Sequence, residues 1–324
     1  MTSGILVAAV EHALRAPSVH NTQPWRWRID GDTVELHADP NRHLVGTDPD
    51  RRDLVLSCGA ALHHLRSALA GSGVATTVER LPDAESSDLL AVVRTAAGPP
   101  DEREAALASA IGARRTDRRA MARPPGAAEV RRLVAHAARQ GAHLYPVTGP
   151  VNRARLTAVL GEAGSRQRFA DGYPAELAIW TRRCAGARDG VPPDLRTQTS
   201  TAPGLRAFPP GRLPAAPPPR DPEELDALVV LTTPGDEVEH RLRAGEATSA
   251  VLLAATDMGL STTPLSQAVE IEHTRRQLAR AVPGLRGCPQ LVIRLGYPAA
   301  GAATLPTTPR RPLRWVLLPP RERA

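Results

Sequence analysis

Lysine is absent from this 324-residue chain, and all 41 basic side chains are arginine. That bias fits GC-rich coding as well as it fits any function. The formal charge of +7 raises nucleic acid as a partner, yet the arginines are interspersed with Asp and Glu along the whole chain. Without a basic stripe, a nucleic-acid partner is not expected, and a small anion needs only a few guanidinium groups. Cysteine is scarce: Cys58, Cys184 and Cys288 are far apart and form no CxxC pair, which excludes a disulfide framework and argues for a reducing compartment. No apolar run approaches the ~20 residues of a membrane span. The N-terminal apolar stretch lacks a basic leader and is broken by Glu11 and His12. A cytoplasmic protein is expected. GxGxxG, GxxxxGK[ST] and GxSxG are all missing, so dinucleotide, P-loop and serine-hydrolase fingerprints are lacking. His63 and His64 are adjacent and point to different helix faces, so they cannot chelate one metal as an i, i+4 pair could. No metal site and no catalytic side chain is nominated.

Helical spacing of apolar residues from Ile5 to Leu14 ends at Pro17. "WRWRIDGDTVELHAD" then alternates and turns at Asp30-Gly31, a hairpin pattern. Helix follows at Leu54–Ala70, and "LLAVVRTA" reads as a strand. The chain then repeats itself. Gly59, Ala61, Ala68, Gly73, Thr76 and Thr77 meet Gly245, Ala247, Ala254, Gly259, Thr262 and Thr263, each 186 residues on, and "AVVR" from Ala91 meets "LVIR" from Leu291. Two matches in the same order point to an internal duplication, with a second long helix at Ala244–Met258. Between the halves, "ARDGVPPDLRTQTSTAPGLRAFPPGRLPAAPPPRDP" is too rich in proline for helix or central strand, and reads as either a solvated linker or a lid.

Three clusters suit an anionic, planar ligand. "PSVHNTQPW" offers Ser18, Asn21 and Gln23 on a loop, with Pro24 expected to hold Gln23 extended and launch the strand at Trp25. "ARRTDRR" sets Arg114, Arg115, Arg118 and Arg119 around Thr116, guanidinium forks that suit a phosphate. "PTTPRRPLRWV" places Arg310 and Arg311 after a Pro-rich turn. Singly, these also read as a connector, a solvated charge run and a basic tail.

Together they resemble the flavin site of the nitroreductase superfamily. "APSVHNTQPWRW" is similar to its PSxxNxQPWxF segment, "RRTDR" to its Arg-Arg-Ser/Thr segment, "MGLSTTPLSQ" to its Gly-Leu-Gly-Thr and following Pro segment, and "PTTPRRPL" to its C-terminal phosphate-binding arginines. The resemblance covers essentially the whole chain and is strongest to the actinobacterial Acg-type tandem proteins, whose lid region is similar to "DGYPAELAIWTRRCAGARDGVP". It implies an α+β fold of two nitroreductase-like halves, each a mostly antiparallel or mixed sheet flanked by helices, docked as an intramolecular pseudo-dimer. The expected halves are residues 1–105 and 106–324, with a Pro-rich lid at about 170–222. It implies FMN as cofactor and hydride flow from NAD(P)H to a nitroaromatic, quinone or biosynthetic-intermediate acceptor. Arg114, Arg310 and Arg311, with Arg115, would hold the phosphate; Thr116 and Arg118 would lie beside the flavin ring and ribityl chain. Pro17, Ser18, Val19, Asn21 and Gln23 would come from the other half, and Pro264, Leu265, Ser266 and Gln267 would approach flavin N5. Since one half keeps the loop and the other keeps the arginines, one complete site and a monomer are expected. The alternative is a non-catalytic, FMN-sequestering protein with its flavin occluded by the lid. An Arg-rich module binding anionic polymers would instead be colourless and steeply salt-dependent.

Overall fold

The computed structural model describes residues 2–83, 88–184, 186–198, 204–214 and 225–320. The first half runs α1 (Thr2–Ala13), β1 (Trp25–Asp30), β2 (Thr33–Ala38), α2 (Arg52–Gly71), β3 (Ala75–Arg80) and β4 (Leu89–Ala96). Short helices α3 (Glu102–Leu107) and α4 (Ala110–Ala113) and strand β5 (Met121–Arg123) lead into the second half. There α5 (Ala127–Arg139), β6 (His143–Pro146), α6 (Pro150–Arg168), α7 (Tyr173–Thr181) and β7 (Ala227–Thr233) are followed by α8 (Val238–Asp257). The chain closes with β8 (Ser261–Leu265), α9 (Gln267–Glu270), α10 (Glu272–Ala281) and β9 (Cys288–Pro298).

Two antiparallel sheets result, one ordered β1-β2-β4-β3 and the other β5-β9-β7-β6, with β8 also on β9. Setting α5-β6-β7-α8-β8-β9 beside α1-β1-β2-α2-β3-β4 gives the same pairings: first strand on second, second on fourth, third on fourth. Register agrees as well. Thr77 faces Arg94 across β3 and β4, and Thr263 faces Arg294 across β8 and β9. Both sequence matches therefore fall on equivalent ladder positions, although different numbers of residues separate each pair.

The halves differ in two connections. β1 and β2 are joined by a two-residue turn, Gly31-Asp32, in which Gly31 takes φ +57°, where a side chain would be strained. Between β6 and β7 the chain instead inserts α6, α7 and the Pro-rich segment. Conversely, 11 residues join α1 to β1, whereas α5 reaches β6 through Gln140–Ala142.

Helices α2 and α8 pack against each other at the centre of the molecule, and the shared apolar core draws on both sheets. Small residues permit the approach. A Cβ on Gly59 would lie 2.0 Å from Leu242 O, and one on Gly245 2.0 Å from Leu56 O. Beside this crossing, His63 and His64 both meet Ser249 Oγ at 2.7 Å, and Glu246, fully buried, pairs with Arg66 and Arg80. Burial, then Arg114 and His63, lower the pKa of His64 well below its ordinary value, so the ring is neutral. The histidine pair is thus part of the helix interface. Trp25 and Trp27 are buried in the same core, while Arg26 and Arg28 alternate toward the surface. No described helix is long and apolar enough to cross a membrane. The expected lid includes residues 185, 199–203 and 215–222, which lie outside the described residues.

Candidate functional site

The site begins where α1 stops. Pro17 cannot continue the helix, and the chain folds into a tight connector in which His20, Asn21 and Gln23 have φ of +46°, +57° and +53°. Three non-glycine residues in the left-handed region cost on the order of 1–3 kcal/mol each, and such strain survives only where surrounding contacts overdetermine it. Those contacts are present. Ser57 on α2 accepts from the Val19 N–H at 3.2 Å, and Ser18 Oγ accepts from the Gln23 N–H at 2.9 Å. The Asn21 amide donates to Gly190 O and Pro309 O and accepts from Arg310. Gln23 donates to Arg188 O at 2.9 Å and accepts from the Arg311 N–H at 2.8 Å.

Two expectations are corrected here. Gln23 has a left-handed φ rather than being extended, because its buried side chain ties two distant segments together. The Asn21 and Gln23 amides are spent on the Pro-rich segment and the C-terminal tail, on backbone groups and the Arg310 guanidinium. They clasp the site and offer no free edge to a heterocycle.

Opposite the connector, residues 114–119 run beside β8. Thr116 bridges Thr262, the Asp117 N–H donates to Thr262 O at 3.0 Å, and Thr263 Oγ1 donates to Asp117 O at 2.5 Å. Asp117 also accepts two hydrogen bonds of 2.9 Å from the Arg119 guanidinium. These contacts place Thr116 and Arg118 against the end of β8.

Between connector and strand lies a cavity of about 100 Å³. Of the sequence candidates, Pro17, Ser18, Val19, Thr116, Arg118, Pro264, Leu265 and Ser266 line it. An adjoining cavity shares Pro17, Ser18, Thr116 and Arg118 and adds Asn21, Arg114 and Arg310. An outer groove of about 500 Å³ continues from Arg114 and Arg310 past Arg115 and Arg311. Asn21, ahead of β1, and Arg114, after α4, therefore share one space. Gln23 and Gln267 line none of these cavities; Gln267 is buried and donates to Gly204 O at 2.7 Å.

Electrostatics set this site apart. Arg114 is 4% exposed, and its Nε and Nη1 have no hydrogen-bond partner among the described residues. Burial and the neighbouring Arg115 push its pKa down to about 10. Burial, then Arg114, Arg115 and Arg15, push Arg310 down to about 9. A guanidinium keeps its proton in proteins, so these shifts measure positive charge that nothing nearby compensates. Arg310 donates to backbone carbonyls of Arg15 and Ala16, which carry no counter-charge, whereas Arg311 has the Asp39 carboxylate 3.5 Å away.

Several lining residues escaped the sequence reading. Asp53, Leu56 and Ser57 come from α2, which its apolar pattern marks simply as a core helix; Asp53 and Ser57, one turn apart, are two of its polar residues. Leu205, Arg206 and Phe208 come from the Pro-rich segment. Arg206 pairs with Glu270 and donates to Tyr173 Oη at 2.9 Å and Ser266 Oγ at 3.2 Å. Phe208 meets His20 edge-on at 5.7 Å and lies 4.8 Å from the Arg118 guanidinium.

No protein-family model matches the chain. Among curated relatives, the Mycobacterium tuberculosis H37Rv protein named "Putative NAD(P)H nitroreductase Rv3131" is 41% identical over 96% of this chain and 90% of its own. "Putative NAD(P)H nitroreductase acg" of the same strain is 34% identical over 97% and 95%. Among solved structures, the FMN-dependent nitroreductase NfnB of Mycobacterium smegmatis, in complex with NADPH, is 17% identical. It covers 67% of this chain and 99% of its own, with a TM-score of 0.42. Identity above one third over nearly the full length of the curated relatives settles the family: this chain belongs to the nitroreductases, in their Acg-type branch, and is an oxidoreductase of that type.

Proposed function

We propose that the chain binds FMN in the connected cavities and passes reducing equivalents from NAD(P)H to a nitroaromatic, quinone or biosynthetic-intermediate acceptor. The observation that carries this reading is buried Arg114 beside half-buried Arg310 on the wall of one cavity, two positive charges that other arginines repel and no neighbouring carboxylate offsets. Such neighbouring charges suit an anion, and a phosphate dianion supplies the acceptors that Arg114 Nε and Nη1 and Arg310 Nε lack. Arg114 and Arg310 would hold the phosphate, with Arg115 and Arg311 on its outer side. Thr116 and Ser18 offer hydroxyls along the adjoining cavity, and Arg118 places a cation beside the ring position. Pro264, Leu265 and Ser266 form the wall that the ring would face. When bound, FMN supplies the hydride chemistry that no side chain here provides. The chain's own part is to hold, orient and shield. On this reading residues 1–105 and 106–324 are duplicated halves that have each kept what the other lost, and they complete one site without a second chain.

One observation favours the sequestering alternative. A site for a drug-sized ligand usually spans at least ~300 Å³, and this cavity holds about 100 Å³ with Phe208 and Arg206 in its wall. The ring therefore requires the segment around Phe208 to shift. Purified protein should be yellow, and anaerobic NADPH or NADH should bleach it; colourless protein at full FMN load would end both readings. Replacing Phe208 with alanine should speed bleaching several-fold by removing the plug. A wild type that stays yellow while the variant bleaches would establish sequestering, and equal rates would show that Phe208 does not gate the ring.

A further inference from the structure

The cavity wall holds a carboxyl group that the functional reading leaves unused. Asp53, in the first turn of α2, is 3% exposed, lines the cavity beside Ser57, Pro264 and Ser266, and has no hydrogen-bond partner for Oδ2 among the described residues. Two more carboxyls crowd it. Asp48, from the loop ahead of α2, accepts from the Leu54 N–H at 2.8 Å. Glu270, closing α9, accepts from Ser266 Oγ, which lines the same cavity, and adds its negative charge beside Asp53. One cation answers them, because Arg206 pairs with Glu270. The cavity's remaining charged and titratable groups are Arg118, which stacks on Phe208, and His20, kept neutral by burial and then by Arg206 and Arg118.

Arg206, Gln167 and Ser266 Oγ all donate to Glu270, the last at 2.6 Å. Donors thus surround Glu270, whereas Asp53 Oδ2 has none among the described residues, which favours a proton on Asp53. Burial, then Glu270 and Asp48, hold the Asp53 pKa well above its ordinary value, and Asp48 is itself raised to about 7, chiefly by burial. Within the cavity wall, then, stands a buried carboxyl group whose surroundings favour its protonated form.

We propose that Asp53 is the proton donor to a quinone-class acceptor reduced in this cavity, an inference that rests on the oxidoreductase reading above. Hydride from NAD(P)H, which leaves as NAD(P)+, converts the quinone to a quinol monoanion. The Asp53 O–H bond breaks as the second quinol O–H bond forms, and the Asp53 carboxylate is reprotonated from water. The Pro-rich segment takes part through Arg206, which is ion-paired with Glu270 rather than with Asp53.

The test uses wild type and Asp53→Asn, which keeps the shape and removes the proton. Infrared spectra recorded through a pH titration should show a protonated carboxyl band in wild type that persists above the ordinary carboxylate range and that Asp53→Asn lacks. This readout needs neither flavin nor activity. A wild type without the band overturns the proposal even if the variant cannot be purified. In rapid mixing, Asp53→Asn should slow reoxidation by a benzoquinone by about 10²-fold or more, with bleaching by NAD(P)H changed far less. Wild-type reoxidation should slow as pH rises through the Asp53 pKa, because the donor is lost, and the variant should lack that dependence. Reoxidation at the wild-type rate in Asp53→Asn would overturn the proposal. A colourless protein that still shows the carboxyl band would refute the flavin reading and leave the proton on Asp53.

Discussion

Replacing Arg114 with methionine should strip FMN from the protein on dialysis and weaken its affinity between about tenfold and about a hundredfold. A hydrogen bond to a charged group contributes ~1.5–3 kcal/mol, and each 1.4 kcal/mol is roughly a factor of ten. Methionine retains the apolar stem, so the effect reports lost charge and lost donors rather than a cavity. The same change should leave the ligand-free protein at least as stable as wild type. Arg114 is buried beside Arg115 and Arg310 with two nitrogens unpartnered, so without an anion its charge works against the fold. Titration followed by flavin fluorescence, together with a thermal melt of the FMN-free protein, checks both halves. Unchanged affinity would remove Arg114 from the site. A large drop in melting temperature without ligand would show that the guanidinium is structural.

Gly245→Ala should destabilise the fold by ~3 kcal/mol or more, the upper part of the range for overpacked cores. The new Cβ would lie 2.0 Å from Leu56 O, 2.8 Å from Gly59 Cα and 2.9 Å from Ala60 N, all backbone atoms that no rotamer change can move aside. Relief requires α2 and α8 to separate, loosening the central contact between the halves. Gly161→Ala is the control. Gly161 lies inside α6 with nothing within 4 Å of its would-be Cβ, so alanine there should be neutral or stabilising by up to ~1 kcal/mol. Urea or thermal unfolding of the two variants should diverge in opposite directions; similar curves would mean the crossing tolerates expansion. Because α2 also carries Asp53 and Ser57 into the cavity, a folded Gly245→Ala protein should bind FMN more weakly.

Much of the fold was legible along the chain. The hairpin at Asp30-Gly31 and the helices expected at Leu54–Ala70 and Ala244–Met258 correspond to β1–β2, α2 and α8, since alternation and helical spacing are local signals. The two sequence matches proved to lie on the same ladder register, Thr77 with Arg94 and Thr263 with Arg294. Gln23 was misread because a Pro24-based rule describes only one neighbour, while its φ is set by hydrogen bonds to Arg188 and Arg311 far along the chain. Asp53 was passed over because an acidic residue in the first turn of a helix reads as ordinary capping. Nothing local announces that Glu270, Asp48 and the Pro-rich segment converge on it.

The sequence by itself determined the elements, the repeat and the motif segments, because each is written in spacing that neighbouring residues enforce. Only the tertiary structure decided which arginines lack a counter-charge, which amides are spent on other segments, and which carboxyl is buried in the cavity wall without a partner among the described residues. Those properties depend on what lies within a few ångströms in space and on how much water is excluded, and chain order specifies neither.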